Sequence, residues 1–417
     1  MNNNSQNTAF KSISSFTLYL YLFFNFACFF YFSITGFLGG DFRNQNIPAD
    51  ILLLSVSLLI IILTFYFYLR LIPTFIIRLK IKSLRDTNII LIDLIALLII
   101  SFGIYSAIKF KIGVLGLEKE DSFAPSAFRM LSALTQPIYF GIIYLFYRCN
   151  FKSRLYIIIL FLYILLIFSS GQTGQLLLIF LLYLYNSYIN KGKIKLKKIF
   201  LLTSLCIFIY PFFRLIKDIA ILSYTKDTNI TDEIKSVFSA DIFEIYITYL
   251  FISLERFQII ANIQFLLSNW SDIYTQYNLS SDHFIQFFSD YWISTYIIKI
   301  TGFDYIINEY ISPQSFLAFY INGKNTWASH IGPIGYFVFF GVGGGLILFF
   351  SIILTCISFY ISKIITSNNN IILLTWLFTL QLICHGWIFA YVAYIQALII
   401  FFASLIILKI KNYLSNI

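Results

Sequence analysis

Along most of the chain the apolar positions do not alternate with polar ones; they run together. Apolar stretches at about residues 16–38, 51–72, 88–108, 131–147, 155–169, 175–190, 199–213, 334–361, 371–387 and 389–408 are separated by short polar bursts. A helix that crosses a bilayer needs roughly 17–25 apolar residues to cover the hydrocarbon core. The pattern therefore predicts an all-α, polytopic membrane protein with about ten transmembrane helices. The fifth, sixth and ninth runs lie near the lower length limit, so the range is roughly 8–12. Residues 1–213 hold about seven of these spans, 214–330 form one large loop, and 331–417 hold about three more.

Composition agrees with that reading. The 417 residues are 59% hydrophobic and 12% charged, with a mean hydropathy of +0.83. Soluble domains run near 45–50% apolar and about 25% charged. The formal charge of +10 suggests nucleic acid, but the cations come in short bursts between apolar runs. Arg78–Arg85 (RLKIKSLR), Arg148–Arg154 (RCNFKSR) and Lys191–Lys198 (KGKIKLKK) are the clearest. Such bursts on one side of a membrane are the positive-inside signal, and no continuous basic face remains for nucleic acid. With both termini cytoplasmic, 17 of the 29 basic residues fall inside and 17 of the 19 acidic residues fall outside. The five cysteines show no CxxC spacing and read as small buried hydrophobes. The run Phe16–Leu38 exceeds a signal-peptide core and is expected to stay as the first span.

The large loop, Arg214–His330, carries seven Lys or Arg against twelve Asp or Glu. Loops this long are usually functional. Within it, Ile242–Leu267 is apolar but broken by Glu255-Arg256, the pattern of two surface helices or of a dip into the bilayer. Phe284, Phe287, Phe288 and Tyr291 recur at helical spacing beside Trp292, as an interfacial helix or one packing its stripe on the membrane domain would require.

Charge inside the spans is nearly absent. Asp93 stands near the inner end of its helix, where it is expected to reach water. Ion-coupled transporters place several ionisable groups at mid-membrane, so that class is disfavoured. Polarity gathers instead where the outer loops meet the spans. Arg129 (SAFRML), Arg214 (YPFFRLIKD), Arg256 (SLERFQ), Lys324 and His330 (both in GKNTWASHIGPIGY) stand at that junction. The planar, permanently charged guanidinium suits phosphate; the alternative is that these arginines bind headgroups or pair with Asp218 and Glu255. His330 is the candidate acid–base group, since an ordinary imidazole titrates near neutrality. His283 lies on the aromatic stripe and His385 (CHGW) reads as a turn residue; three scattered histidines do not make a zinc site. Gly332, Gly335, Gly341 and Gly343–Gly345 lack the Lys-Ser/Thr of a phosphate loop, and Gly341 with Gly345 forms a GxxxG packing pattern. The hairpin Ser169–Gln175 (SSGQTGQ) offers polar groups that suit either a tight turn or sugar hydroxyls.

The order of elements, a large loop before the last few spans, resembles the bacterial O-antigen polymerases, the Wzy-type oligosaccharide repeat-unit polymerases. Ser329–Gly345 (SHIGPIGYFVFFGVGGG) is similar to that family's polar approach and glycine-bearing post-loop helix. Tyr320–Trp327 (YINGKNTW) stands where the family's loop ends, and Arg214 follows an apolar span as in the family. The SSGQTGQ turn resembles a family turn that carries an arginine, which is missing here. The resemblance implies an inner-membrane glycosyltransferase working on the periplasmic face. A glycan on undecaprenyl diphosphate would be transferred to another lipid-linked repeat unit, with no cofactor. It implies Arg214 and Arg256 on the diphosphate with Arg129 assisting, His330 or Glu255 taking the acceptor proton, and Lys324 orienting sugar. Membrane lipids, a chain-length regulator and a flippase are the implied partners. An O-antigen ligase shares this architecture. A metal-dependent glycosyltransferase would want a DxD where only Asp41 and Asp50 stand. A flippase or exporter without enzymatic activity would want short loops and internal symmetry.

Overall fold

With so few polar side chains to compete for them, backbone amides and carbonyls bond within their own segment, and helix is the result nearly everywhere. The computed structural model describes residues 3–43, 45–81, 83–84, 89–114, 124–149, 151, 153–191, 196–226, 242–279, 287, 311–323, 328–366 and 369–414. No strand occurs among them; the nearest thing is one antiparallel bridge between Phe37 and Pro48. Lys324 and all of the predicted aromatic stripe except Phe287 lie outside the described residues.

In chain order the helices are α1 (Asn3–Thr35), α2 (Ile51–Tyr66), α3 (Ile72–Arg78), α4 (Ile89–Phe110), α5 (Ser126–Thr135), α6 (Pro137–Arg148), α7 (Arg154–Ser170), α8 (Gln175–Lys191) and α9 (Leu196–Lys226). They continue as α10 (Ile242–Glu255), α11 (Ile260–Ser268), α12 (Trp270–Asn278), α13 (Pro313–Asn322), α14 (Gly332–Phe340), α15 (Val342–Ile365), α16 (Asn370–Phe378) and α17 (Ile388–Leu414). A π-turn over Phe67–Leu71 joins α2 to α3, and another, Thr379–Ile383, extends α16.

Six helical stretches among the described residues are long and apolar enough to cross a membrane: Gln6–Thr35, Ile51–Arg78, Ile90–Phe110, Ser126–Arg148, Val342–Ile365 and Ile388–Lys409. A seventh is available if the pair Phe243–Glu255 and Ile260–Ser268, bent by 72°, counts as one span. The other four predicted spans are helical too, with shorter apolar stretches among the described residues: Arg154–Ser170, Gln175–Asn190, Thr203–Ile216 within the longer α9, and Asn370–Ile383. At 1.5 Å per residue a 17-residue helix covers about 25 Å, less than a ~30 Å core. Of the ten predicted spans, six are therefore full-length apolar helices among the described residues, and four fall on shorter apolar stretches. Faces turned outward are apolar, with Leu52 and Leu98 70% and Phe243 73% exposed, surfaces suited to lipid.

Two expectations change. Asp93 does not reach water: it is 2% exposed, accepts from Tyr144 Oη at 2.8 Å and pairs with Arg148 Nε at 3.2 Å, which ties α4 to α6. A carboxylate withdrawn from water needs such a partner and hydrogen bond, since an unpaired buried charge is costly. The predicted span 334–361 breaks at Gly341, whose φ of +54° ends α14 before α15 begins. The close-packing glycine is Gly344, where a Cβ would stand 2.3 Å from the Tyr336 carbonyl oxygen.

Hydroxyls join the C-terminal helices, Ser358 to Tyr391 at 2.5 Å and Ser362 and Tyr394 both to Thr375 at 2.6 Å. Such small polar contacts hold helices together where no hydrophobic difference from lipid exists. Two of the basic segments, 78–85 and 148–154, and Lys363 collect at one end. Leu84 N–H donates to Ile364 O, Lys363 donates to the carbonyls of Ile76, Ile77 and Leu79, and Asn370 donates to Phe146 O. The N-terminal end of α1 lies there as well, through Asn7 and Asn369.

Candidate functional site

The break between α10 and α11 positions the site. Four residues, Arg256–Ile259, leave helical geometry there, freeing backbone groups in an apolar surrounding. Asn25 of α1, fully buried, satisfies two of them: its Oδ1 accepts from Ile259 N–H at 3.1 Å and its Nδ2 donates to Phe257 O at 3.3 Å. Gln258 Oε1 accepts from Ala261 N–H at 3.1 Å and caps the new helix. Asn25 stands ten residues before the end of α1, about 15 Å along the axis, so the break is sunk well below that helix end.

The segment after α1 folds back over the break. Leu38 N–H bonds to Ile47 O and Ala49 N–H to Gly36 O, closing the loop, while Phe42 packs on Phe265 with centroids 4.6 Å apart. This brings Asp41 onto α11. Its Oδ2 accepts from Asn262 Nδ2 at 2.9 Å and from Ser329 Oγ at 2.6 Å. Gly40 is required here, because its φ is +69° and a Cβ would lie 2.7 Å from Gln258 Nε2.

From the other side come the 328–331 segment and the Cys384–Trp387 turn, held together by Gly332 N–H to His385 O at 3.2 Å. His330 is half-buried, and its Nδ1 accepts the indole N–H of Trp387 at 2.7 Å. Indole can only donate, so the neutral ring carries its proton on Nε2. That Nε2 is buried and has no partner among the described residues. Burial first, then the neighbouring His385 and Arg256, push His330 well below the ordinary imidazole value, so it is neutral at pH 7. His385, 5.1 Å away between ring centroids, is pushed down to about 4 by burial, partly opposed by its bond to Leu380 O.

These pieces enclose a pocket of about 330 Å³, its mouth included, lined by Gly40, Asp41, Ile252, Glu255, Arg256, Gln258, Asn262 and His330. Three residues picked out from the sequence, Glu255, Arg256 and His330, thus share one pocket. Glu255 is engaged: Arg43 Nη2 lies 2.6 Å from its Oε1, with the guanidinium 5.6 Å over the Phe251 ring. Arg256 makes no ion pair or hydrogen bond among the described residues. Arg214, on α9, is near enough that its charge and that of Arg256 repel, while Asp218 and Tyr249 face it; Tyr249 Oη donates to Asp218 at 2.9 Å. Arg129 lies on exposed α5 and is not part of the pocket lining. Neither is the Ser169–Gln175 turn, whose Thr173 meets Tyr210 at 3.4 Å.

Asp41, Gln258, Asn262, Ser329, Asn25, Arg43 and Trp387 were not singled out as site residues from sequence. A signal existed for some: Asn25 interrupts FFNFACFF, and Gln258, Asn262 and Gln264 punctuate FQIIANIQFLL. Isolated amides in otherwise apolar runs are there to satisfy backbone or bind something. No protein-family model matches the chain, and neither a curated protein nor a solved structure matches it significantly.

Proposed function

We propose that this protein is a membrane glycosyltransferase that polymerises undecaprenyl-diphosphate-linked oligosaccharide repeat units into a surface polysaccharide. The observation that carries the reading is the convergence of Arg256, His330, Asp41 and Glu255 on one pocket at a broken apolar helix. Arg256 and nearby Arg214 supply positive charge with no carboxylate bonded to either guanidinium among the described residues. A lipid diphosphate would bring the compensating charge, and its glycan would meet Asp41, Asn262 and Gln258. In the transfer, an acceptor hydroxyl attacks the anomeric carbon and the C–O bond to the diphosphate breaks. Cations already in position stabilise the charge that develops on the leaving group. No separate energy source is needed, because the donor is already activated.

In this reading the pocket faces the periplasm and the basic end faces the cytoplasm, in the bacterial inner membrane. The distribution of cations supports that orientation. The test is deletion in the native host, followed by complementation with the parent chain and with Arg256→Ala. Loss of the parent is expected to leave single repeat units on the lipid A-core. Arg256→Ala is expected to lower polymer formation by about 10²–10³. A bare core in the deletion strain would make the protein a ligase; unchanged polymer would refute the assignment.

A further inference from the structure

Three groups lining the pocket can in principle take a proton: Asp41, Glu255 and His330. Their surroundings separate them. On His330, Nδ1 is occupied by the Trp387 N–H at 2.7 Å and Nε2 holds the ring proton. With one ring nitrogen accepting and the other protonated, the neutral imidazole has no lone pair to offer a hydroxyl. On Glu255, Oε1 bonds the exposed Arg43 guanidinium at 2.6 Å; protonating it would break that charge-assisted bond. Asp41 differs from both. Both of its hydrogen bonds converge on Oδ2, from the neutral donors Ser329 Oγ at 2.6 Å and Asn262 Nδ2 at 2.9 Å. Ser329 is fully buried and Asn262 is 2% exposed, and Asn262 Nδ2 also reaches Ser329 Oγ at 2.6 Å. The trio is therefore a closed arrangement that aims one carboxylate and leaves Oδ1 without a bond among the described residues.

We propose that Asp41 is the residue that takes the proton of the attacking hydroxyl, and that His330 serves the same pocket as a neutral Nε2–H donor to the departing oxygen. The inference rests on the glycosyl-transfer reading and adds to it the division of labour between the two groups. The step balances: the hydroxyl oxygen bonds to the anomeric carbon, its proton passes to Asp41 Oδ1, and the anomeric C–O bond breaks. That electron pair stays on the diphosphate, beside Arg256 and the His330 Nε2–H. Asp41 then releases its proton to water. Ser329, Asn262 and Trp387 act as positioning residues.

The test uses the full chain in proteoliposomes. The substrate is the undecaprenyl-diphosphate repeat unit accumulated by a strain lacking the protein. Asp41→Asn keeps size and can still accept from Ser329. It is expected to reduce kcat by about 10²–10⁴ while KM for the lipid moves less than about threefold, and Asp41→Glu should recover part of the loss. His330→Gln can place an amide N–H near Nε2 but cannot act as a base. It is expected to recover a substantial part of the rate that His330→Ala loses. If Asp41→Asn turns over within twofold of the parent while Arg256→Ala is inactive, the proton-acceptor assignment fails and the glycosyltransferase reading survives. If His330→Gln is as inactive as His330→Ala and Asp41→Asn is active, His330 is the base and the proposal is overturned. If the parent chain forms no polymer from this lipid, the reading beneath both falls.

Discussion

Replacing Asn25 by leucine isolates the contact on which the broken helix depends. Leucine keeps most of the volume but neither the donor nor the acceptor. Ile259 N–H would lose its acceptor at 3.1 Å and Phe257 O its donor at 3.3 Å. Ile259 is 1% exposed, so water does not reach its N–H to replace the amide, whereas the carbonyl of half-buried Phe257 is less completely shielded. Leaving a buried backbone group unsatisfied costs about 1–3 kcal/mol. The 3.3 Å contact is longer than the usual ~2.9–3.0 Å and counts at the low end. Burying leucine returns roughly 1 kcal/mol, and an unfolded reference inside the membrane recovers some of the lost bonding. The net local cost is about 2 kcal/mol, or roughly a 30-fold rise in the opening equilibrium. Hydrogen–deuterium exchange, followed by mass spectrometry on peptides covering residues 255–265, reads that equilibrium directly. Exchange there should quicken by about 30-fold in Asn25→Leu, with peptides from α17 unaffected. Exchange within about twofold of the parent would refute the reasoning, because the break would then be held by something other than this amide.

Three further expectations follow from the same geometry. Gly40→Ala places a Cβ 2.7 Å from Gln258 Nε2 at a φ of +69°; left-handed backbone alone costs about 1–2 kcal/mol, so the thermal midpoint in detergent should fall and turnover with it. Arg148→Met strands Asp93, which is 3% exposed at its side chain; breaking such a pair costs up to about 3–5 kcal/mol, less here because Arg148 is 18% exposed, and chemical unfolding should register it. Stability should also fall in acid. An unfolded His385 binds a proton near pH 6.5, whereas the folded residue resists until about 4. This contribution is therefore fully present above about pH 6.5 and is lost as pH drops, amounting to roughly 3 kcal/mol by pH 4. His330 acts in the same direction, and a thermal midpoint as high at pH 5 as at pH 7.5 would contradict both.

The helices were legible because burial in lipid demands long apolar runs, and length alone finds them. Their ends and breaks were less so. The break at Arg256–Ile259 was visible as Glu255-Arg256 inside an apolar run, but its depth depends on Asn25, 230 positions earlier than Glu255, a pairing that no local pattern announces. Asp93 looked solvent-bound because its partner Arg148 sits in a basic burst that serves topology as well. Of the site, Arg256, Glu255 and His330 were found, whereas Asp41, Arg43 and the uncharged members were not. Arg256, Glu255 and His330 are conspicuous against an apolar background, whereas Ser329 and Trp387 carry no charge and matter only through what they orient. Asp41 was weighed solely as half of a missing DxD, since nothing local shows that the loop after α1 folds back onto α11. Arg129 has the same sequence credentials as Arg256, yet α5 carries it away from the pocket lining; convergence of four cations cannot be read from spacing.

The charges at the pocket also explain why so many neutral donors surround it. Arg43 is matched by Glu255 and Arg214 faces Asp218, but Arg256 and Asp41 line the same pocket without forming an ion pair. Opposite charges free to move in a poorly solvated pocket would close on each other, since their attraction grows as the dielectric constant falls. Asp41 is restrained by Ser329 and Asn262, so the pocket keeps a cation and an anion apart. That separation suits a reaction in which one oxygen loses a proton on one side while another gains charge on the opposite side. Ser329→Ala should release Asp41 to swing toward Arg256. The expected result is a fall in kcat of about 10- to 100-fold, the cost of a misplaced catalytic group. Binding of the lipid should weaken as well, because Arg256 would already be neutralised. Partial rescue by Ser329→Thr, which restores the hydroxyl, would tie the effect to orientation. If Ser329→Ala instead left both kcat and KM unaltered, the charges would be held apart by the backbone and not by this hydrogen bond.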